Sequence, residues 1–119
     1  MEADKTATTT PGALAPSMPT VLTTTVEIAP GAIVSRTLAR SAGGNVTVFA
    51  FDQGQELAEH SAPFDAMVHL LEGALVVVIG GRDYELSSGA AIIMPADVPH
   101  AVRAPEKAKW MLVMLKDES

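Results

Sequence analysis

The chain is punctuated, and the punctuation limits what it can fold into. From Val21 onward every apolar run is short: VLTTTVEI, AIVSRTLAR, NVTVFAF, QELAEH, AMVHLLE, ALVVVI, DYELS, AAIIMP, HAVRA and WMLVML. The separators are nearly all glycine, proline, aspartate or serine, as in Ala29-Pro30-Gly31, Ser41-Ala42-Gly43-Gly44 and Asp52-Gln53-Gly54. In NVTVFAF, Val46, Val48 and Ala50 fall on one face and Thr47, Phe49 and Phe51 on the other, the two-residue period of a strand. Runs of this length, spaced by roughly ten residues with turn formers between, predict an all-β sandwich or barrel. No window offers an amphipathic helix of about ten residues. Gly80-Gly81 marks a hairpin, because two adjacent glycines accept the positive φ angles of a tight primed turn. The unbroken apolar runs LVVVI and WMLVML imply burial on both faces. Either the barrel is sandwiched, or another subunit covers one outer face.

The length of 119 residues suits one domain. Residues 1–20 are rich in Thr, Ala and Pro without hydrophobic period and read as a flexible arm, or as one that reaches a partner subunit. Residues 21–119 read as a single barrel domain. A net charge of −6 and no basic cluster argue against nucleic acid as a partner. The absence of cysteine excludes disulfides, thiolate metal sites and cysteine nucleophiles, and fits a reducing compartment. No apolar run approaches the ~18 residues of a membrane helix, and the first residues lack a signal-peptide pattern. The expectation is a cytoplasmic protein without membrane contact. Asn45-Val46-Thr47 reads as strand rather than as a glycosylation site.

Two segments carry the chemistry. GQELAEHSAPFDAMVHLLEG, from Gly54 to Gly73, and GAAIIMPADVPHAVRA, from Gly89 to Ala104, each bring one histidine to a strand end: His60 and His100. Pairing of these segments would put both imidazoles in the barrel mouth. Pro63 and Pro99 would stiffen the turns that aim them, since proline fixes φ near about −65°.

The spacing resembles that of the small single-domain cupins, a family with a double-stranded β-helix of jelly-roll topology. The family's first motif runs from a glycine through His-x-His and a glutamate to a second glycine; Gly54, His60 and Glu72-Gly73 match it here. Its second motif runs from a glycine through Pro-x-Gly to a histidine and an asparagine; Gly89, Pro95 and Val98-Pro99-His100 match it. The resemblance covers residues 21–115 and implies a cupin barrel. In metal-binding members the two histidines and the glutamate of the first motif, with the histidine of the second, hold a divalent ion. This sequence departs from that set. The second histidine falls on Ala62, the glutamate on Ala66, the second motif's glycine on Asp97 and its asparagine on Ala104. Only His60 and His100 remain as metal ligands by this carry-over.

Strand parity then predicts the pocket. If His60 faces inward, so do Ala62, Ala58 and Glu56; Ala66 brings Val68 and Leu70, and His100 brings Val102 and Ala104. The floor loses polar groups and gains methyls at Ala62, Ala66 and Ala104. Glu56 lies too far along the strand from His60 to share an ion with it, at ~3.3 Å per residue. His69 has the wrong parity, and Asp65 is the one carboxylate able to swing over the rim. Two imidazoles would hold zinc, copper or nickel loosely, and iron and manganese are the family's other ions. Otherwise the two histidines bond each other, water or backbone, or meet a small polar ligand. Met67, Met94, Met111 and Met114 could line a soft-metal site but read as core filler. Arg36 and Arg103 could anchor an anion but read as surface charge, and the Glu56/Glu59 pair has opposed parity.

The leading expectation is a protein that binds a small, partly apolar ligand near His60, His100, Ala62, Ala66 and Ala104. The alternative is a metal-dependent enzyme of the dioxygenase, isomerase or decarboxylase kind. A third is a structural barrel that pairs with a second protein. A homodimer is expected through one sheet.

Overall fold

A computed structural model describes residues 11–116. Nine strands form two antiparallel sheets: β1 (Ile33–Ser41), β2 (Gly44–Phe51), β3 (Glu56–His60), β4 (Asp65–Gly73), β5 (Leu75–Ile79), β6 (Arg82–Leu86), β7 (Ala91–Met94), β8 (His100–Arg103) and β9 (Ala108–Leu115). The five-stranded sheet runs β1-β2-β9-β4-β7 and the four-stranded sheet β3-β8-β5-β6. This is the all-β barrel that the punctuated sequence predicts, with the jelly-roll topology that the cupin resemblance implies.

Alternation decides which side chains fill the space between the sheets. On β9, Trp110 and Leu112 point inward; on β4, Ala66, Val68 and Leu70; on β2, Phe49 and Phe51. They meet Leu75, Val77 and Val102 of the facing sheet in one core. Its aromatic centre is ordered: Phe49 stacks on Trp110 at 4.5 Å between centroids, and Phe51 stands edge-on to Trp110 at 5.4 Å. Such pairs add about 0.5–1.5 kcal/mol beyond their burial.

The β5–β6 hairpin turns at Gly80 and Gly81, with φ of 58° and 84°, as the glycine pair predicts. At Gly73, φ is +96° and an added Cβ would lie 2.0 Å from the Lys107 carbonyl oxygen, so only glycine lets β4 and β9 approach there.

Two expectations need correction. VLTTTVEI is not a strand. Leu22–Thr24 forms a 3-10 turn, in which the Thr24 and Thr25 hydroxyls donate to the carbonyls of Val21 and Leu22 at 2.7 and 2.6 Å. Threonine side chains compete here for the carbonyls that a β-ladder would use. The second correction concerns the arm expected over residues 1–20. Residues 11–20 lead into a strap whose Leu14, Leu22, Val26 and Ile28 pack on the outer face of the five-stranded sheet, against Leu38, Val48, Ala50 and Met111. Leu14 N–H donates to Leu38 O at 3.0 Å, Arg36 Nε to Gly12 O at 2.7 Å and Lys109 Nζ to Thr23 O at 2.7 Å. Residues 1–10 lie outside the described residues. The chain itself thus covers part of the outer face for which a second subunit was the alternative.

Candidate functional site

The site is assembled by cross-strand pairing. β3 and β8 run antiparallel, and His60 and His100 are directly opposed partners at the end of the ladder. Their rings meet edge to face, with centroids 4.5 Å apart and the two Nε2 atoms 3.3 Å apart. His60 is exposed at the rim, whereas His100 lies deeper with 4% of its surface accessible.

Both rings are fixed from behind. Nδ1 of His60 donates to Ala58 O at 3.0 Å, and Nδ1 of His100 donates to Val98 O at 3.2 Å. A carbonyl can only accept, so each neutral ring carries its hydrogen on Nδ1 and leaves Nε2 bare. The turn before His100 is tied down as well. Ala96 N–H donates to Asp65 Oδ1 at 2.8 Å, Asp97 N–H to Ala62 O at 2.7 Å, and Gly80 N–H to Pro99 O at 2.9 Å. Asp97, at the family's glycine position, keeps the positive φ of 66° that the turn demands. Burial holds the His100 pKa below the ordinary imidazole range, and repulsion from a charged His60 adds to this; the Val98 carbonyl pulls weakly the other way.

In front of the rings lies a cavity of about 240 Å3. Its wall is Leu57, Ala62, Phe64, Ala66, Met94, Val102, Trp110, Leu112 and Met114, and its only polar side chains are His60 and His100. The Trp110 indole N–H is buried without a partner among the described residues and has no accessible surface.

The structure brings His60, His100, Ala62 and Ala66 to one cavity. Ala104 is not on its wall. It is buried in the core and prolongs the β3–β8 ladder, with its N–H donated to Gln55 O and its carbonyl accepting from Gly54 N–H. Strict parity fails on β3 because of a bulge. Glu56 opposes Arg103 and Leu57 opposes Val102, but the register then shifts by one before His60 meets His100. One extra residue reverses facing, so Leu57 joins His60 at the cavity, while Glu56 and Ala58 are exposed. Asp65 is not free to swing over the rim, since it holds the Ala96 N–H. Of the methionines, Met94 and Met114 line the cavity, and Met111 packs under the strap. Arg36 anchors the strap, and Arg103 pairs with Asp83 at 2.8 Å on the surface. Phe64, Met94, Trp110, Leu112 and Met114 are the wall residues that strand parity around the histidines did not reach.

A divalent ion fits the bite but not the set. The 3.3 Å between the Nε2 atoms is close to the edge of a tetrahedron built from bonds of ~2.0–2.1 Å, about 3.3–3.4 Å. A resident ion needs three or four protein donors, and among the described residues no group of three His, Asp or Glu converges anywhere. Two alanines stand where the other donors would be. A resident divalent metal does not fit these residues.

Residues 47–115 match the family model described as a cupin domain. A conserved protein of unknown function from Streptococcus pyogenes is similar over 89% of this chain and 93% of its own, with 38% identity and a TM-score of 0.84. A cupin 2 conserved barrel domain protein from Leptotrichia buccalis is similar at 33% identity and a TM-score of 0.76, over 79% of this chain and 46% of its own. A cupin superfamily protein from Desulfitobacterium hafniense shares the fold at a TM-score of 0.81 with 23% identity, over 87% and 95%. No curated protein matches the chain.

Proposed function

The chain belongs to the cupin family, and we propose that it is a binding module that takes one small, mostly apolar molecule into the barrel mouth beside His60 and His100. The observation that carries this reading is the cavity itself: an apolar wall with two convergent polar groups, each ring held by its own backbone carbonyl. Pockets that bind small molecules have this composition, many apolar contacts for affinity and a few fixed polar groups for orientation. The rings need no rearrangement to meet a ligand, so little ordering cost is charged against its binding.

The wall holds no carboxylate, hydroxyl or cationic side chain to accompany the imidazoles, so any polar contact with the bound molecule falls to the two histidines. The test is a thermal-shift screen of a metabolite library against the native chain, repeated with His60→Ala and His100→Ala. Hits that weaken in both variants support the binding module. Hits that bind both variants unchanged would sink it.

A further inference from the structure

We propose that the cavity selects a neutral single-ring molecule with a hydroxyl group, a phenol or a cyclic alcohol, whose hydroxyl hydrogen is received between Nε2 of His60 and Nε2 of His100. The proposal rests on the reading of this cavity as a ligand site and specifies the ligand's chemistry.

The first observation is a hydrogen-bond deficit. Both Nδ1 hydrogens are already donated to Ala58 O and Val98 O. Neither neutral ring then has a hydrogen to give, and the 3.3 Å contact sets one bare nitrogen against another. Two acceptors converging on one point require a donor from outside. The second observation is what the wall lacks. None of its side chains is a Lys, Arg, Ser, Thr, Asn or Gln. A carboxylate or phosphate would face two lone pairs without a donor. An ammonium would find acceptors but no carboxylate to balance its charge after leaving water. A hydroxyl supplies one hydrogen and carries no charge.

Size narrows the class further. The cavity is about 240 Å3, and an apolar cavity of about 150 Å3 holds benzene. By that ratio the space takes about ten non-hydrogen atoms, one ring with a few substituents. Phe64, Met94 and Met114 supply the flat and polarizable surfaces that such a ring would touch, with the fully buried Trp110 behind them.

Trp110 is the chain's only tryptophan and forms part of the wall, so its emission, excited at the red edge where phenol does not absorb, reads occupancy in the intact chain. Phenol, cyclohexanol, toluene and benzoate are titrated at neutral to mildly basic pH, with calorimetry as the second measurement. Phenol and cyclohexanol should bind at least roughly tenfold more tightly than toluene or benzoate, because those two leave the acceptor pair unmet. In His60→Leu the preference for phenol over toluene should vanish while toluene still binds. Toluene equal to phenol in the native chain would overturn the proposal and leave the ligand cavity standing. Benzoate stronger than phenol would also overturn it, by showing that the pair carries a donated proton. Failure of all four probes would overturn both the proposal and the binding-module reading.

Discussion

Replacing Ala62 with histidine and Ala66 with glutamate should turn the cavity into a tight zinc site. Both alanines line it, and the two imidazoles already stand at the separation of a tetrahedral edge. A complete four-donor zinc site binds with roughly 10–16 kcal/mol of apparent free energy. Two donors supply about half of that, ~5–8 kcal/mol, which is micromolar to submillimolar binding. Ala66 is only 5% exposed, so the new carboxylate costs about 1–3 kcal/mol in desolvation. The net gain of the double variant Ala62→His/Ala66→Glu is therefore about 2–7 kcal/mol, roughly thirtyfold or more in affinity. Zinc affinity is measured by competition with a chromophoric chelator after dialysis against EDTA. Unfolding curves with and without metal give a second readout: the metal-free variant should be less stable than the parent, and zinc at about a hundred times Kd should restore ~2.7 kcal/mol, a rise of roughly 10 °C in Tm. A folded double variant that binds zinc less than about tenfold tighter than the parent would refute the convergence of these four positions on one point.

Three further outcomes test the scaffold. Leu70→Ala, at a position with no exposed surface, should cost about 2–5 kcal/mol in urea unfolding. Gly73→Ala should cost more than ~2 kcal/mol by the same measurement, since a Cβ there meets the Lys107 carbonyl at positive φ. The lowered His100 pKa makes stability complete above the ordinary imidazole value of about 6.5 and weaker as pH falls through it, because the unfolded chain takes a proton that the native ring refuses. His100→Asn should flatten that part of the urea-midpoint profile between pH 8 and the lowered pKa.

The barrel was legible because its determinants are local. Turn residues and short apolar runs predict β1 to β9 from their own residues, and the glycine-to-histidine spacings point to His60 and His100. The strap was not legible as such. Val21–Ile28 has the composition of a strand, and only the Thr24 and Thr25 hydroxyl bonds show that the chain turns there instead. The facing of β3 was misread for a different reason. Parity carries facing along a strand only while the register holds, and the shift between Leu57 and His60 is a property of the β3–β8 pair. Nothing in QELAEH alone announces it, and unbroken alternation from His60 places Glu56 inside. Trp110, Leu112 and Met114 of the far wall come from β9, which no motif joins to the histidines.

His60 and His100 are neighbours across a ladder, rather than tips of two independent loops. Their spacing is inherited from the ~4.7–4.9 Å pitch between hydrogen-bonded strands. Descendants of this chain could therefore exchange whole rim segments, or lengthen them, while the paired nitrogens stayed in calibration. The bordering residues of the cavity can change in such a lineage without moving the two nitrogens apart.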